Sequence, residues 1–127
     1  MMRYTVAIAC ILGFLGVALG AFGAHGLSEV LTEKGTTETF RTATLYHLVH
    51  ALFLFQLGIG AGSHADKWTK AAILCAFFGL LIFCGTLYLL SVTGIKWLGA
   101  ITPIGGVGFL CAWLFAGISA YKKSIGA

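Results

Sequence analysis

The stretch YHLVHALFLF, residues 46–55, places two histidines three positions apart within an otherwise apolar run. Imidazole nitrogens can ligate a metal or a haem, relay a proton, or hydrogen-bond to a neighbouring helix. In a helix, His47 and His50 lie about 60° apart and therefore share one face. Ionisable side chains are costly to bury at membrane depth, so this pair is the first candidate for a functional site.

The residues that share this face predict that it points inward. Small side chains recur on it and allow a neighbouring helix to approach closely. The other members of the face are Phe40, Ala43, Ala51, Leu54 and Gly58. Three roles for the histidines stay open: hydrogen-bonding between helices, ligation of a metal or cofactor together with Tyr46, and proton relay. The sequence identifies no particular cofactor.

Composition indicates the environment of the chain. Of its 127 residues, 59% are hydrophobic and 9% charged, whereas about 25% of residues are charged in a typical soluble domain. Four apolar runs are close to the roughly 20 residues that cross a hydrocarbon core. They cover residues 4–24, 40–62, 69–90 and 103–121. The prediction is an all-α integral membrane bundle of four transmembrane helices, forming one domain over residues 1–127.

The connections between the spans carry helix-boundary signals. After the first span, Ser28 is expected to cap a short interfacial helix that ends at Gly35. Thr36 or Thr37 is expected to cap the second span. Pro103 is expected to be the first helical residue of the fourth span, where its missing N–H costs nothing. An alternative for the glycines at 105 and 106 is a locally opened backbone that coordinates a ligand.

Charge patterning excludes one class of partner and predicts the orientation. The formal net charge is +4, but the basic residues flank the spans and form no stripe suited to nucleic acid. Placing both termini in the cytoplasm puts five basic residues inside and three outside, as the positive-inside rule favours. The five are Arg3, Lys67, Lys70, Lys122 and Lys123, and the three are Lys34, Arg41 and Lys96.

Every span carries a stripe of small residues at spacings of three or four. The first has Ala9, Gly13, Gly16, Gly20 and Gly23, and the fourth has Gly108, Ala112, Ala116 and Ala120. Such stripes let membrane helices pack closely, either within the bundle or against a second copy or another membrane protein. The four cysteines also fall in spans and are interpreted as small packing residues. The partners expected are therefore the lipid bilayer and possible membrane-protein neighbours.

Three segments resemble a known family: LGVALGAFGAHGL (15–27), FRTATLYHLVHALFL (40–54) and GTLYLLSVTGIKWLGAITPIGG (85–106). They are similar to the small membrane proteins grouped as domain of unknown function 423, and the resemblance covers essentially the whole chain. It implies a multi-pass protein of the bacterial plasma (inner) membrane or of a mitochondrial inner membrane. It implies no reaction.

The same segments suggest a site. With both termini inside, most of their polar residues converge on the outer side and predict a polar, outward-facing pocket with His50 at its floor. The candidate residues are His25, Arg41, Tyr46, His47, His50, Thr102 and Pro103. No nucleophile–base arrangement or carboxylate pair is evident, which argues against a hydrolase. The leading hypothesis is a non-enzymatic binding or accessory protein. The alternatives are a haem- or metal-linked redox protein using His47 and His50, and a small proton-coupled transporter.

Overall fold

The computed structural model describes residues 2–127, which form five α-helices and no strand within that range. The helices are α1 (Met2–His25), α2 (Ser28–Lys34), α3 (Thr37–Gly60), α4 (Lys67–Thr93) and α5 (Leu98–Ser124). All but α2 are long and apolar enough to cross a membrane. The all-α architecture with four membrane-spanning helices and a short helix after the first is confirmed.

The short helix ends as predicted but begins differently. Gly35 stops α2 in the left-handed region, with φ of 67°, a conformation that glycine adopts without a Cβ penalty. Ser28 is the first residue of α2 and not its cap, because its hydroxyl donates to the His25 carbonyl at 3.0 Å. Thr36 occupies the N-cap position of α3, yet its hydroxyl donates to the Ser91 carbonyl on α4 at 2.7 Å. That hydroxyl therefore links two helices.

The predicted start of the fourth span at Pro103 is wrong, because α5 begins five residues earlier at Leu98. Gly94 ends α4 in the left-handed region, with φ of 73°, and the chain turns back within residues 94–97. The first turn of α5 can therefore pack on α4, and Leu98 is buried. The alternative of an opened backbone at Gly105 and Gly106 is also wrong, since both residues are helical.

The small-residue stripes bring the helices close together. A Cβ placed on Gly79 of α4 would lie 3.0 Å from the Gly105 carbonyl oxygen, and one placed on Gly108 would lie 3.1 Å from the Gly79 Cα. On α1, Gly16 faces Leu48 and Gly20 faces Thr44 of α3. Gly13 is an exception, because nothing lies within 4 Å of its Cβ position. Most of the stripes thus serve packing within the bundle.

These contacts define two ends of the bundle. At one end α1 and α4 begin and α3 and α5 finish, as the contacts of Gly58 with Val6 and of Asp66 with Ser119 show. We call this the basic end, because it carries Arg3, Lys67, Lys70, Lys122 and Lys123. At the opposite end α2 lies beside the α4–α5 turn, where Lys34 approaches Gly94.

Candidate functional site

Both ring nitrogens of His50 are hydrogen-bonded to the protein. Nδ1 lies 2.8 Å from the Tyr46 carbonyl oxygen one turn earlier, and the indole N–H of Trp113 on α5 donates to Nε2 at 3.1 Å. An indole can only donate, so Nε2 must be the unprotonated nitrogen and Nδ1 carries the proton. The ring also stacks on Phe109 with a centroid separation of 3.6 Å. His50 is therefore held as a neutral imidazole of one tautomer.

His47 has a different environment one turn earlier on α3. Its Nδ1 lies 2.9 Å from the Tyr88 hydroxyl oxygen on α4. Its Nε2 is buried and has no hydrogen-bond partner among the described residues, and its ring faces α1, where a Cβ placed on Gly16 would lie 3.3 Å from its Cδ2. The inward face predicted for α3 is confirmed, because both histidines and the five residues named with them are buried.

The polar groups around the histidines limit what they can ligate. Because His50 already uses both nitrogens, a metal or haem iron could bind it only after the Trp113 or the Tyr46 bond broke. His47 retains one nitrogen without a hydrogen bond. Within residues 2–127, no three His, Cys, Asp or Glu side chains are grouped closely enough to hold a metal ion. The geometry thus favours the hydrogen-bonding role of the pair.

The other candidate residues lie in several places. Tyr46 is 40% exposed and its ring packs 4.9 Å from that of Phe83. The Thr102 hydroxyl lies 2.7 Å from that of Thr86 and so links α5 to α4. His25 is exposed at the end of α1, and Pro103 is exposed inside α5.

Arg41 lines a cavity that none of the other candidate residues contacts. This cavity, here called the α2 groove, has a volume of about 520 Å³. It lies between α1 and α3, below α2, and it does not include His50. Its lining residues are Gly20, Gly23, Ala24, Ser28, Leu31, Thr32, Thr37, Phe40, Arg41, Thr44, Leu45 and Leu48.

The sequence is similar to known membrane proteins over nearly all of its length. The family model described as "Protein of unknown function (DUF423)" matches residues 19–106. The UPF0382 membrane protein YwdK of Bacillus subtilis is 42% identical over 95% of this chain and 98% of its own length. The chain belongs to the DUF423 family. The UPF0382 inner membrane protein YgdD of Escherichia coli is 32% identical over 94% of this chain and 91% of its own length. No solved structure matches the chain.

Membership of the DUF423 family agrees with the four spans and with the resemblance noted from the sequence. The relatives are named as membrane proteins, and one as an inner membrane protein. These names place the relatives in a membrane and mention no reaction or ligand. The orientation with both termini in the cytoplasm therefore stays a prediction.

Sequence reasoning missed Trp113, the residue that fixes the His50 tautomer. A signal was present, because tryptophan in membrane proteins concentrates at the two interfaces, whereas Trp113 lies in the middle of α5. A mid-membrane indole needs an acceptor for its N–H. The two histidines were candidate acceptors, but the sequence does not show which of the polar residues in the spans lies beside Trp113.

A second cluster missed by sequence reasoning joins α4 to α5 at the basic end. Asp66 caps α4, accepting the Thr69 N–H at 2.8 Å. Its carboxylate also accepts from the Ser119 hydroxyl of α5 at 3.0 and 2.9 Å. The hydrogen bonds from Thr69 contribute most to holding the pKa of Asp66 below its usual value, with smaller effects from Ser119 and the charge of Lys123. Asp66 is therefore an ionised clamp between two helix ends.

Proposed function

We propose that this protein is a non-enzymatic membrane protein that binds a small amphipathic molecule in the α2 groove. The observation that carries the proposal is the distribution of polarity along that cavity. Ser28, Thr32, Thr37 and Arg41 provide hydroxyl and guanidinium groups near the end of the bundle. Leu45 and Leu48 line the part that extends toward its middle, where the one hydroxyl, that of Thr44, donates to the Phe40 carbonyl. A polar head and an apolar tail fit this order.

The size of the groove supports a small-molecule ligand. Its volume of about 520 Å³ falls within the range of roughly 300–1,000 Å³ that is usual for ligand pockets. The residues that line it include no Asp, Glu, His or Cys. A lining without a general base or an activated nucleophile favours binding over catalysis.

Arg41 supports an anionic head group. Its guanidinium forms an ion pair with Glu38 at 2.7 Å, and both side chains are largely exposed, at 72% and 83%. Exposed pairs of this kind contribute little to stability, so a ligand carboxylate or phosphate can compete for Arg41 at small cost. Arginine also suits such groups because its planar fork of N–H donors matches two oxygens at once.

The proposal departs from the pocket expected from sequence in one respect. His50 was expected at the pocket floor, whereas here it acts on the other side of α3, where it contacts α5. The role we assign to the histidine pair is to fix α3 in position. Given the predicted orientation, the groove opens on the outer face of the membrane.

Binding of a dansylated fatty acid to the purified protein in nanodiscs tests the proposal. We expect saturable binding that Arg41→Gln weakens about tenfold, because a charge-assisted hydrogen bond is lost. Leu45→Trp, which places a large ring in the groove, should weaken it further. Lys96→Gln removes a positive charge at the same end without touching the groove, and should bind like the wild type.

Two results would overturn the proposal. One is wild-type binding that is no stronger than that of Leu45→Trp. The other is a Soret absorption band or a stoichiometric metal in the purified protein that is lost on His47→Ala, which would favour the redox alternative.

A further inference from the structure

The formal charge of the protein is concentrated at the basic end. Five basic side chains and one acidic side chain, Asp66, lie there. The opposite end has three basic and three acidic side chains. The whole formal net charge of +4 therefore belongs to one end of the bundle, which lies across the membrane from the α2 groove.

None of the lysines at the basic end forms an ion pair among the described residues. In the described part of the chain, the single ion pair is that of Arg41 with Glu38 at the opposite end. Asp66 directs its carboxylate to Thr69 and Ser119. The one acid at this end is thus occupied by helix capping, and the ammonium groups are left for an external anion.

Trp68 lies close to two of these lysines. The Nζ atoms of Lys67 and Lys122 lie 5.4 Å and 5.9 Å from the centroid of its ring system. The Trp68 ring packs against Phe115 of α5, with centroids 5.6 Å apart. Its indole N–H is buried and has no acceptor among residues 2–127. One donor without an acceptor and two ammonium groups therefore meet at one place on the membrane interface.

We propose that Trp68, Lys67 and Lys122 form a binding site for the phosphate of an anionic phospholipid. A phosphodiester supplies the missing acceptor for the indole N–H and the negative charge that the two lysines lack. Tryptophan beside lysine is typical of the head-group level of a bilayer. Nearby on α5, Leu114 and Tyr121 are exposed and offer an apolar surface for the acyl chains. This site is separate from the α2 groove and does not depend on the function proposed for it.

Native mass spectrometry of the detergent-solubilised protein, titrated with phosphatidylglycerol or phosphatidylcholine, tests this site. We expect the wild type to retain one phosphatidylglycerol molecule in preference to phosphatidylcholine. The double variant Lys67→Gln, Lys122→Gln should bind phosphatidylglycerol about thirtyfold more weakly, because each lysine near an anionic surface contributes about fivefold. Trp68→Phe keeps the ring but removes the N–H, and should weaken binding by about tenfold.

The matched control is Lys34→Gln, Lys96→Gln, which removes the same charge from the opposite end and should bind phosphatidylglycerol like the wild type. Equal weakening of phosphatidylglycerol binding by the two double variants would overturn the proposal, because it would show that binding depends only on the net charge of the protein. Equal retention of the two lipids by the wild type would also overturn it. Competition by millimolar inorganic phosphate would identify a free-phosphate site and reject the lipid. Circular dichroism should show unchanged helix content in every variant.

Discussion

Along the contact between α4 and α5, Gly79 and Gly108 bring the two helix backbones together. The contact between α3 and α5 is instead formed by large ring side chains. On the α3 side, His50 stacks on Phe109 and accepts from Trp113, and Phe53 stacks on Trp113 at 4.0 Å. In lipid, helices gain little from burying apolar surface, so close packing and hydrogen bonds must hold them. The α4–α5 contact combines close backbone packing with hydrogen bonds such as that between Thr86 and Thr102, whereas the α3–α5 contact relies on ring stacking and one hydrogen bond.

The difference indicates what each interface can tolerate. A glycine contact allows no added atom, because the neighbour is backbone and cannot rotate away. An aromatic and hydrogen-bonded contact can lose one bond and keep its ring packing. We therefore expect substitutions of the glycines in the α4–α5 contact to cost more than substitutions between α3 and α5.

The largest effect is expected for Gly105→Ala. The added methyl group would collide with the backbone of Phe83 on α4, and overpacking of this kind costs about 3 kcal/mol. Titration with SDS in mixed micelles measures the free energy of unfolding. Gly106→Ala is the neighbouring control, because the nearest atom, in the Phe83 ring, lies 3.8 Å away, at ordinary contact distance. Equal losses for both variants would contradict the proposed backbone contact.

An intermediate effect is expected for Trp113→Phe. The variant retains an aromatic ring but removes the N–H that donates to His50, and a hydrogen bond between membrane helices contributes about 1 kcal/mol. The same SDS titration measures the loss. Trp97→Phe is the control, since Trp97 is 64% exposed. A 15N NMR spectrum reports which ring nitrogen of His50 carries the proton. In the Trp97 variant, His50 should remain the Nδ1–H tautomer. A protonated Nε2 in the wild type would refute the hydrogen bond from Trp113 to His50.

The smallest effect is expected at the polar clamp that closes the α4–α5 contact. The folded pKa of Asp66 is lowered, so its contribution is present above the unfolded pKa of about 3.9 and is lost as pH falls through the folded pKa. Asp66 is only half-buried, so solvent screens its charge, and we expect it to contribute less than about 0.5 kcal/mol to the free energy of unfolding. The thermal midpoint of the wild type should fall more than that of Asp66→Asn between about pH 5 and pH 2. If the thermal midpoints of the wild type and of Asp66→Asn fall equally with pH, the charge of Asp66 does not contribute to this contact.

Much of this architecture could be predicted from the sequence because it follows from local patterns. The length of an apolar run predicts a span, and a period of 3.6 residues predicts which side of α3 is buried. The buried side chains of α3 are the seven that share the predicted face. The capping bonds were harder to predict: Thr36 occupies the expected N-cap position of α3, but its hydroxyl donates to the Ser91 carbonyl on α4. The early start of α5 likewise depends on its packing against α4.

The candidate site could be predicted less well, because the pattern on one helix face does not show which helix packs against that face. His47 and His50 lie on the same side of α3, yet one bonds to Tyr88 on α4 and the other to Trp113 on α5. The α2 groove depends on how α2 lies across α1 and α3. No local pattern predicts that arrangement.

By itself, the sequence determined that this chain is a four-span helical membrane protein with charge biased to one end. Hydrophobicity and charge act residue by residue and need no partner to be recognised. Only the tertiary structure decided that both ring nitrogens of His50 are hydrogen-bonded, that Arg41 lines the α2 groove, and that Trp68 lies near two lysines. These properties belong to pairs of residues distant in sequence, and only the packing of helices brings such pairs together.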